Sequence, residues 1–396
     1  MPTSIAITPE EHCARCHLLL ERTQIAGLAG VVLFDPTYVL YYTGFAFVPT
    51  ERPIACVLAG DGTRALVVPR LEVEHAESRS TLDRVEHYLE YPGDPRADDV
   101  LRATFADMGL AGTIGADQDG YPWILGYRGP TLSELSGAEV VRVVEEIEAQ
   151  MAIKSEAEIT LIRESVRWGN LAHRLLQRYT RVGVTETEVS QRASDEATFA
   201  MLDAIGEIYR AQSAFSSGAH AGYRGQIGRN SAIPHALAGN LVFQAGDVLV
   251  TGASAPSGVP VGAGADDVRR RAESTAGADV RAHGRAPGHR VRHDPPRRCL
   301  LRRRQGGPPT TTRTTSGRTG ATTQGMRSAC ATTRGPFLDS GDHTEIRPGM
   351  VFTVEPGLYS PELGGFRHSD TVLVTEDGIE ILTYYPRDLA SLVISA

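Results

Sequence analysis

Hydrophobic residues near the start of the chain form short continuous runs of the kind found in buried strands. After an amphipathic opening helix, apolar and β-branched residues dominate positions 30–45 and 53–69. The second run is interrupted by Gly60-Asp61-Gly62, which is typical of a hairpin turn between two strands. We therefore predict strands in both runs and an α/β domain over residues 1–152.

The hydrophobic pattern then changes to a helical period. Ile159 and Ile162 recur at the spacing of one helix face. Ser155, followed three positions later by Glu158, forms the capping-box signature of a helix start. These features predict a long amphipathic helix that begins near Ser155 and opens a second domain over residues 153–396.

Composition restricts the class of protein. No run of about 18 or more apolar residues occurs, and the first residues lack the basic and apolar regions of a signal peptide. We therefore expect a cytoplasmic protein without a membrane partner. Five cysteines scattered over 396 residues argue against a disulfide framework.

Charge is unevenly distributed along the chain. Residues 257–334 contain 16 Arg, no Lys and five acidic residues, although the whole chain has a net charge of −8. The segment also lacks Ile, Phe, Tyr, Trp and Asn, so it cannot bury enough apolar surface to offset chain entropy, and disorder is predicted. Nucleic-acid binding is the alternative, but arginine-rich tails usually lie at termini and carry Lys, Gly or aromatic residues. We expect no nucleic-acid partner.

Four motifs carry the candidate chemistry. They are IPHA at 233–236, GDVLVTG at 246–252, GMVFTVEPGLY at 349–359 and GGFRHSDTVLVTEDG at 364–378. Together they resemble the pita-bread hydrolases, the family of creatinase, prolidase, methionine aminopeptidase and Xaa-Pro aminopeptidase. The resemblance implies an N-terminal creatinase-like α/β domain and an α+β pita-bread C-terminal domain, which the arginine-rich segment interrupts. It also implies C–N bond hydrolysis in small or peptide-like substrates, and a homodimer, which is common in the family.

The arginine-rich segment occupies a part of that domain in which strands and helices are required. Codons compatible with residues 320–334, read one nucleotide earlier, allow WRHHAGHAFGLRYHEG, which resembles the family's GHGIG...HEGP segment. Codons compatible with residues 257–268, read two nucleotides earlier, allow GYRSELERTM, which resembles the family's GY.SD.TRT strand. We hypothesise that residues 257–334 are a frameshifted translation, and that the chain could be inactive as it stands.

His235 and Glu355 are the predicted catalytic residues. His235 stands where the family keeps a histidine that contacts substrate or shuttles a proton, and imidazole titrates near neutral pH. Its alternative is a satisfied core histidine. Strand alternation puts Glu355 on the face opposite Phe352 and Val354, where a carboxylate in an apolar run needs a partner. In the family that partner is a metal ion in the peptidases, or the guanidino group of the substrate in creatinase.

Arg367, His368 and Asp370 are the predicted substrate-binding residues beside that pair. Their alternative is structural, because an Arg and an Asp at the end of a β-bulge often only pair with each other.

A two-metal site is not expected. The family's metallopeptidases use two Asp, one His and two Glu to hold two divalent ions about 3.5–4 Å apart. Here Thr251 follows GDVLV where the first Asp is expected, the second Asp is absent, and Ser369 replaces the final Glu. We therefore expect no cofactor, as in the metal-free creatinase branch. The alternatives are a metal-dependent Xaa-Pro peptidase in which Glu355 ligates Mn, Zn or Co, and a non-catalytic pita-bread binding protein.

Overall fold

A computed structural model gives the structure of the chain and describes residues 6–90, 93–205, 218–256, 260–261, 320–329, 332–338 and 341–394. The chain divides into two units, the first ending at Met151 and the second beginning at Ala152. Most of the arginine-rich segment, for which disorder is predicted, lies outside the described residues.

The first unit is built on a six-stranded mixed sheet. Its strands are β1 (Gly30–Leu33), β2 (Ala55–Ala59), β3 (Arg64–Pro69), β4 (Arg84–Tyr88), β5 (Ile114–Ala116) and β6 (Val140–Arg142). Its helices are α1 (Pro9–Ile25), α2 (Pro36–Thr43), α3 (Val73–Arg79), α4 (Ala97–Asp107), α5 (Leu132–Ser136) and α6 (Val144–Ala152). The strand order is β4-β3-β2-β1-β5-β6, antiparallel among β1, β2 and β3 and parallel elsewhere.

The predictions for the two apolar runs of this unit differ in their outcome. The predicted hairpin is confirmed, since β2 and β3 pair antiparallel around Gly62, whose φ of +94° favours glycine. The first run is a strand only in β1, and its second half forms α2. The prediction of a strand throughout this run was therefore wrong. Asp35 caps this helix by accepting a hydrogen bond from the Thr37 N–H, and Pro36 occupies the first turn. The helix-start signal therefore overrides the β-branched pattern.

The described residues of the second unit form two antiparallel sheets. Its strands are β7 (His220–Gly222), β8 (Gly252–Pro256), β9 (Pro260–Val261), β10 (Gly320–Ala329), β11 (Thr332–Arg334), β12 (Val351–Ser360), β13 (Gly364–Arg367), β14 (Asp370–Val374) and β15 (Ile379–Ile381). One sheet has the order β11-β10-β12-β14-β15 with β13 also paired to β12, and the other has the order β7-β8-β9. Its helices are α7 (Glu156–Tyr179) and α8 (Glu186–Ile205).

Helix α7 starts where the sequence predicts. Ser155 accepts a hydrogen bond from the Glu158 N–H at 3.1 Å, and Glu158 accepts one from the Ser155 N–H at 2.9 Å. Ile159 and Ile162 pack with Val351 of β12 in one apolar cluster. The first half of the helix therefore supports the strand that carries Glu355. In the described part of the chain, no helix is long and apolar enough to cross a membrane.

Candidate active site

Glu355 lies near the middle of β12, and the residues before it fix the direction of its side chain. Phe352 and Val354 pack in an apolar cluster with Val372 of the neighbouring strand β14. Because successive side chains of a strand point to opposite faces, Thr353 and Glu355 face the other way. The common apolar cluster of Phe352 and Val354 agrees with the alternation predicted from the sequence.

The carboxyl group of Glu355 is shielded from water and has positive charges around it. Its side chain is only 23% exposed. Burial raises the pKa of Glu355, while a hydrogen bond from Thr353 and the charges of Arg224 and His235 oppose this rise. The net effect is a raised pKa, so Glu355 keeps its proton to a higher pH than an exposed glutamate does. His235 and Glu355 are therefore close enough to interact electrostatically.

Arg367 ends β13, the short strand that pairs with β12 beyond Glu355. Its Nη1 lies 3.9 Å from Glu355 Oε2, which is an ion-pair distance but longer than a hydrogen bond. Arg367 is 9% exposed, and burial, followed by repulsion from Arg224, lowers its pKa to about 10. The guanidinium therefore stays charged at neutral pH, beside the predicted catalytic carboxylate.

His235 lies on an exposed loop that begins after β7. At the start of the loop, Arg224 has a φ of +50°, which is uncommon for a residue other than glycine. Gly225 follows with a φ of +74°, and a Cβ at this position would collide with Leu237 O across the loop. The close approach brings the two sides of the loop together while the His235 side chain remains open to solvent.

Gln226 supports this loop from inside. Its side chain is completely buried, and its Nε2 donates to Ile233 O at 3.0 Å and to Pro234 O at 3.3 Å. These are the two carbonyls directly before His235. Its Oε1 accepts a longer hydrogen bond from Arg224 Nη2 at 3.5 Å. One amide group therefore connects Arg224 with the backbone that carries His235.

Glu186, the first residue of α8, holds both ends of the same loop. Its carboxylate accepts hydrogen bonds from the backbone N–H groups of Gly225 at 2.6 Å, Gly239 at 2.7 Å and Leu241 at 3.4 Å. The residue is 1% exposed, and a carboxylate buried to this extent requires such donors. The loop from 225 to 241 is thus tied to the start of a helix.

Asp370 binds other partners than the sequence suggests. Arg387 donates from Nη2 to Oδ1 at 2.8 Å and from Nε to Oδ2 at 3.1 Å, and Thr383 Oγ1 donates to Oδ1 at 2.7 Å. His368 Nε2 lies 3.4 Å from Oδ2. The structural alternative expected from the sequence was an Arg367–Asp370 pair. Asp370 instead binds Arg387, and Arg367 lies beside Glu355. The substrate-binding roles of Arg367, His368 and Asp370 stay predictions.

Asp370 should make the stability of the protein depend on pH in the acid range. Burial acts to raise its pKa, but the interactions with His368, Arg387 and Thr383 outweigh burial and lower the pKa from 3.8 to about 2. A lowered pKa stabilises the fold above the unfolded value, near pH 4, and this contribution is lost as the pH falls towards 2. We expect Asp370→Asn to remove about 2 kcal/mol of this pH-dependent stability.

The measurement is urea denaturation of wild type and Asp370→Asn between pH 2 and 6. Asp377→Asn serves as the control, because Asp377 lies exposed in the turn between β14 and β15. If the two variants show the same pH dependence as wild type, Asp370 is not the titrating group.

Two positions at which the family's metal ligands are expected hold the hydroxyl side chains of Thr251 and Ser369. Thr251 Oγ1 lies 2.6 Å from His173 Nε2, so it is bound to a buried histidine of α7. Ser369 is completely buried, and its Oγ has no hydrogen-bond partner among the described residues. Within the same residues, no group of three or more His, Cys, Asp or Glu could hold a metal ion. The donors present on the described residues do not fit a two-metal centre.

Sequence reasoning overlooked Arg224, Gln226 and Glu186. Each contributes through a contact with the loop that carries His235, and none belongs to the four motifs. The glycine after Arg224 is a weak signal for a turn, but nothing local indicates that Glu186 would meet it. The deep burial of a Glu and a Gln could be recognised only in the structure.

Family models match both ends of the chain. A model described as Creatinase/Prolidase N-terminal domain matches residues 15–150. A second, described as Metallopeptidase family M24, matches residues 323–376 and so covers β12, β13 and β14.

Similar proteins extend over nearly the whole chain. An uncharacterized peptidase, YqhT of Bacillus subtilis, is 24% identical over 385 residues, which cover 92% of this chain and 96% of that protein. The probable dipeptidase PepE of Mycobacterium tuberculosis is 25% identical over 399 residues, which cover 98% of each chain. Among solved structures, an Xaa-Pro dipeptidase from Bacillus anthracis superposes with a TM-score of 0.72 at 20% identity, covering 96% of this chain and 99% of that one. At this identity the superposition shows the fold alone.

Proposed function

We propose that the chain hydrolyses a C–N bond in a small or peptide-like molecule. The reason is that it belongs to the pita-bread family of creatinases, prolidases and Xaa-Pro peptidases. The observation that supports this most directly is the position of Glu355. It is a largely buried carboxylate beside Arg367 and within electrostatic reach of His235. Such a combination of shielded charge and an accessible imidazole is typical of a site for proton-transfer chemistry.

His235 is the proton shuttle in this proposal. Its neutral imidazole takes a proton from a water molecule as the water oxygen attacks the carbon of the C–N bond. The C–O bond forms, the C–N bond breaks, and the imidazolium returns the proton to the leaving nitrogen. Because His235 is exposed on its loop, it can reach both the water and the leaving group.

Glu355 anchors a positive or N–H-bearing group of the substrate. When ionised, its carboxylate accepts hydrogen bonds, and the low exposure of the side chain strengthens such a contact. Arg367, His368 and Asp370 are proposed to surround the bound substrate. Arg367 has a direct observation behind its role, because its Nη1 lies 3.9 Å from Glu355 Oε2.

Turnover of a substrate panel tests this function. Wild-type protein is incubated with creatine, Xaa-Pro dipeptides and acetylated amino acids, and the released products are measured while binding is followed by isothermal titration. Hydrolysis of at least one class supports the proposal. Binding without turnover would instead support a non-catalytic pita-bread binding protein, the alternative left open by the departures from the metal-ligand set.

A metal-dependent Xaa-Pro peptidase is the second candidate function, favoured by the match to the M24 model. In that case Glu355 would be a ligand of Mn, Zn or Co. The described residues contain no group of three or more His, Cys, Asp or Glu that could hold a metal ion, so we expect turnover to survive exhaustive dialysis against a chelator. Bound metal is quantified by mass spectrometry before and after dialysis. Loss of activity that returns with added Mn²⁺, Zn²⁺ or Co²⁺ would favour the metallopeptidase.

We also propose that the arginine-rich segment is translated out of frame. Its composition and the two family motifs recovered in other frames support this. The M24 match begins at residue 323, inside the segment, so the test should treat residues 323–334 separately. The DNA is resequenced across residues 256–335, and the expressed protein is checked by peptide mass. An intact frame that encodes these residues would contradict the proposal. A homodimer and a cytoplasmic location also stay predictions.

A further inference from the structure

The His235 loop, which we define as residues 225–241, is not fixed by apolar packing around His235. Ile233 is 50% exposed and Leu237 is 88% exposed on either side of the histidine. The loop is instead held by hydrogen bonds to two buried polar side chains, Glu186 and Gln226. Since these bonds end on backbone atoms, they hold the loop whatever its exposed side chains are. Ile227 in the apolar core and the bond from the Gly228 N–H to Val248 O at 2.8 Å hold its first residues as well.

We propose that Glu186 and Gln226 are positioning residues that set the place of His235 relative to Glu355. Glu186 fixes both ends of the His235 loop, and Gln226 fixes the two carbonyls directly before the histidine. Hydrogen bonds are stronger where water is excluded, and Glu186 and Gln226 are 1% and 0% exposed. The inference rests on the proposed role of His235.

Both positioning residues are themselves anchored outside the exposed part of the loop. The Glu186 N–H donates to Leu241 O at 2.9 Å, at the junction between α8 and the end of the loop. The Gln226 N–H donates to Tyr223 O at 2.9 Å, and Gln226 O accepts from the Val250 N–H at 3.0 Å. Gln226 is therefore held from outside the loop, and Glu186 is held at the junction of α8 with the last residue of the loop. Their side chains can act as supports for the residues between.

Gln226 also couples His235 to a second charge of the site. Its Oε1 accepts from Arg224, whose charge influences both Glu355 and Arg367. A change in the orientation of the Gln226 amide would move Arg224 and the His235 backbone together. The positions of Arg224 and of the His235 backbone around Glu355 therefore both depend on the buried Gln226 side chain.

The first test needs no substrate. Hydrogen exchange of the full chain is followed by mass spectrometry for wild type and Glu186→Gln, which removes the charge and one acceptor oxygen. We expect the amides of Gly225, Gly239 and Leu241 to exchange at least about tenfold faster, with protection of α7 unchanged. Glu188→Gln, two positions further on and exposed, is the matched control. Unchanged exchange in the His235 loop would overturn the proposal for Glu186.

The second test reads His235 directly. Gln226→Met keeps the shape of the side chain but removes both amide donors, so the ring resonances of His235 in NMR spectra should shift. The same substitution at exposed Gln244 is the control and should leave them in place. Identical His235 resonances in wild type and Gln226→Met would overturn the proposal for Gln226.

The third test asks whether the position of His235 affects the rate of substrate turnover. For a substrate that wild type hydrolyses, Gln226→Met should lower kcat by about 10–100-fold with little change in KM, because a small displacement of a catalytic group is costly. An unchanged kcat with shifted His235 resonances would reject His235 as the proton shuttle and overturn the catalytic part of the inference. If no variant, wild type included, turns over any substrate, the proposed function fails while exchange and NMR still decide how the loop is held.

Discussion

The His235→Asn variant is expected to lose about 10²–10⁴-fold in kcat against any substrate that wild type hydrolyses. Asparagine can form a hydrogen bond from this position, but it cannot accept the proton of water and return it to the leaving nitrogen. The measurement is product release over a range of substrate concentrations. In the variant, KM should change little.

His343→Asn is the control for this experiment. His343 lies exposed on the segment before β12 and is not part of the proposed site. Its replacement should leave kcat near the wild-type value. Equal losses in both variants would point to a general effect on folding, and an unchanged kcat in His235→Asn would reject the proton-shuttle role.

Phe352→Ala should lower the free energy of unfolding of the second unit by about 3–5 kcal/mol. Phe352 is 2% exposed and packs with Met350, Val372 and Val374 under the face of β12 opposite Glu355. Truncation removes the buried ring and leaves a cavity that the neighbouring strands fill only in part. The same loss would loosen the strand that orients the catalytic carboxylate.

Urea denaturation followed by Trp168 fluorescence measures this effect in the second unit. Trp168 is 4% exposed in α7, and a Trp123→Phe background removes the other tryptophan of the chain. Phe199→Ala is the matched control, because Phe199 is 66% exposed on α8 and its loss should change stability by less than about 0.5 kcal/mol. Equal shifts for the two variants would show that Phe352 does not support the core.

Local signals account for the parts of the fold that the sequence predicts correctly. The creatinase-like α/β domain and the pita-bread domain are confirmed as the fold class by the family and structural comparisons. The capping box at Ser155 and the turn at Gly62 act between residues a few positions apart, so the sequence shows them directly. Helix α2 was missed because the short-range cap at Asp35 competed with an apolar pattern that also suits a strand.

The candidate site is only partly visible in the sequence, for a physical reason. The direction of Glu355 follows from the two-residue period of a strand, which holds wherever the strand is regular. The partners of the loop and of Asp370 follow no period. Glu186 meets Gly225 across 39 positions, and Arg387 meets Asp370 across 17. Such side-chain contacts depend on how separate segments pack, and no local pattern encodes them.

The pairing of β10 with β12 has a consequence for how this sheet tolerates altered sequence. The ladder runs from Gly320 opposite Tyr359 to Arg327 opposite Phe352, and Gln324 stands opposite Glu355. Ladder bonds join amides and carbonyls that nearly every amino acid possesses, so they discriminate poorly between one residue and another. A stretch with unrelated side chains can therefore still pair with β12, although it does not supply the side chains that a reaction needs. The strand pairing in this region would then persist even where catalytic side chains are lost, so a folded sheet alone does not show that the enzyme is active.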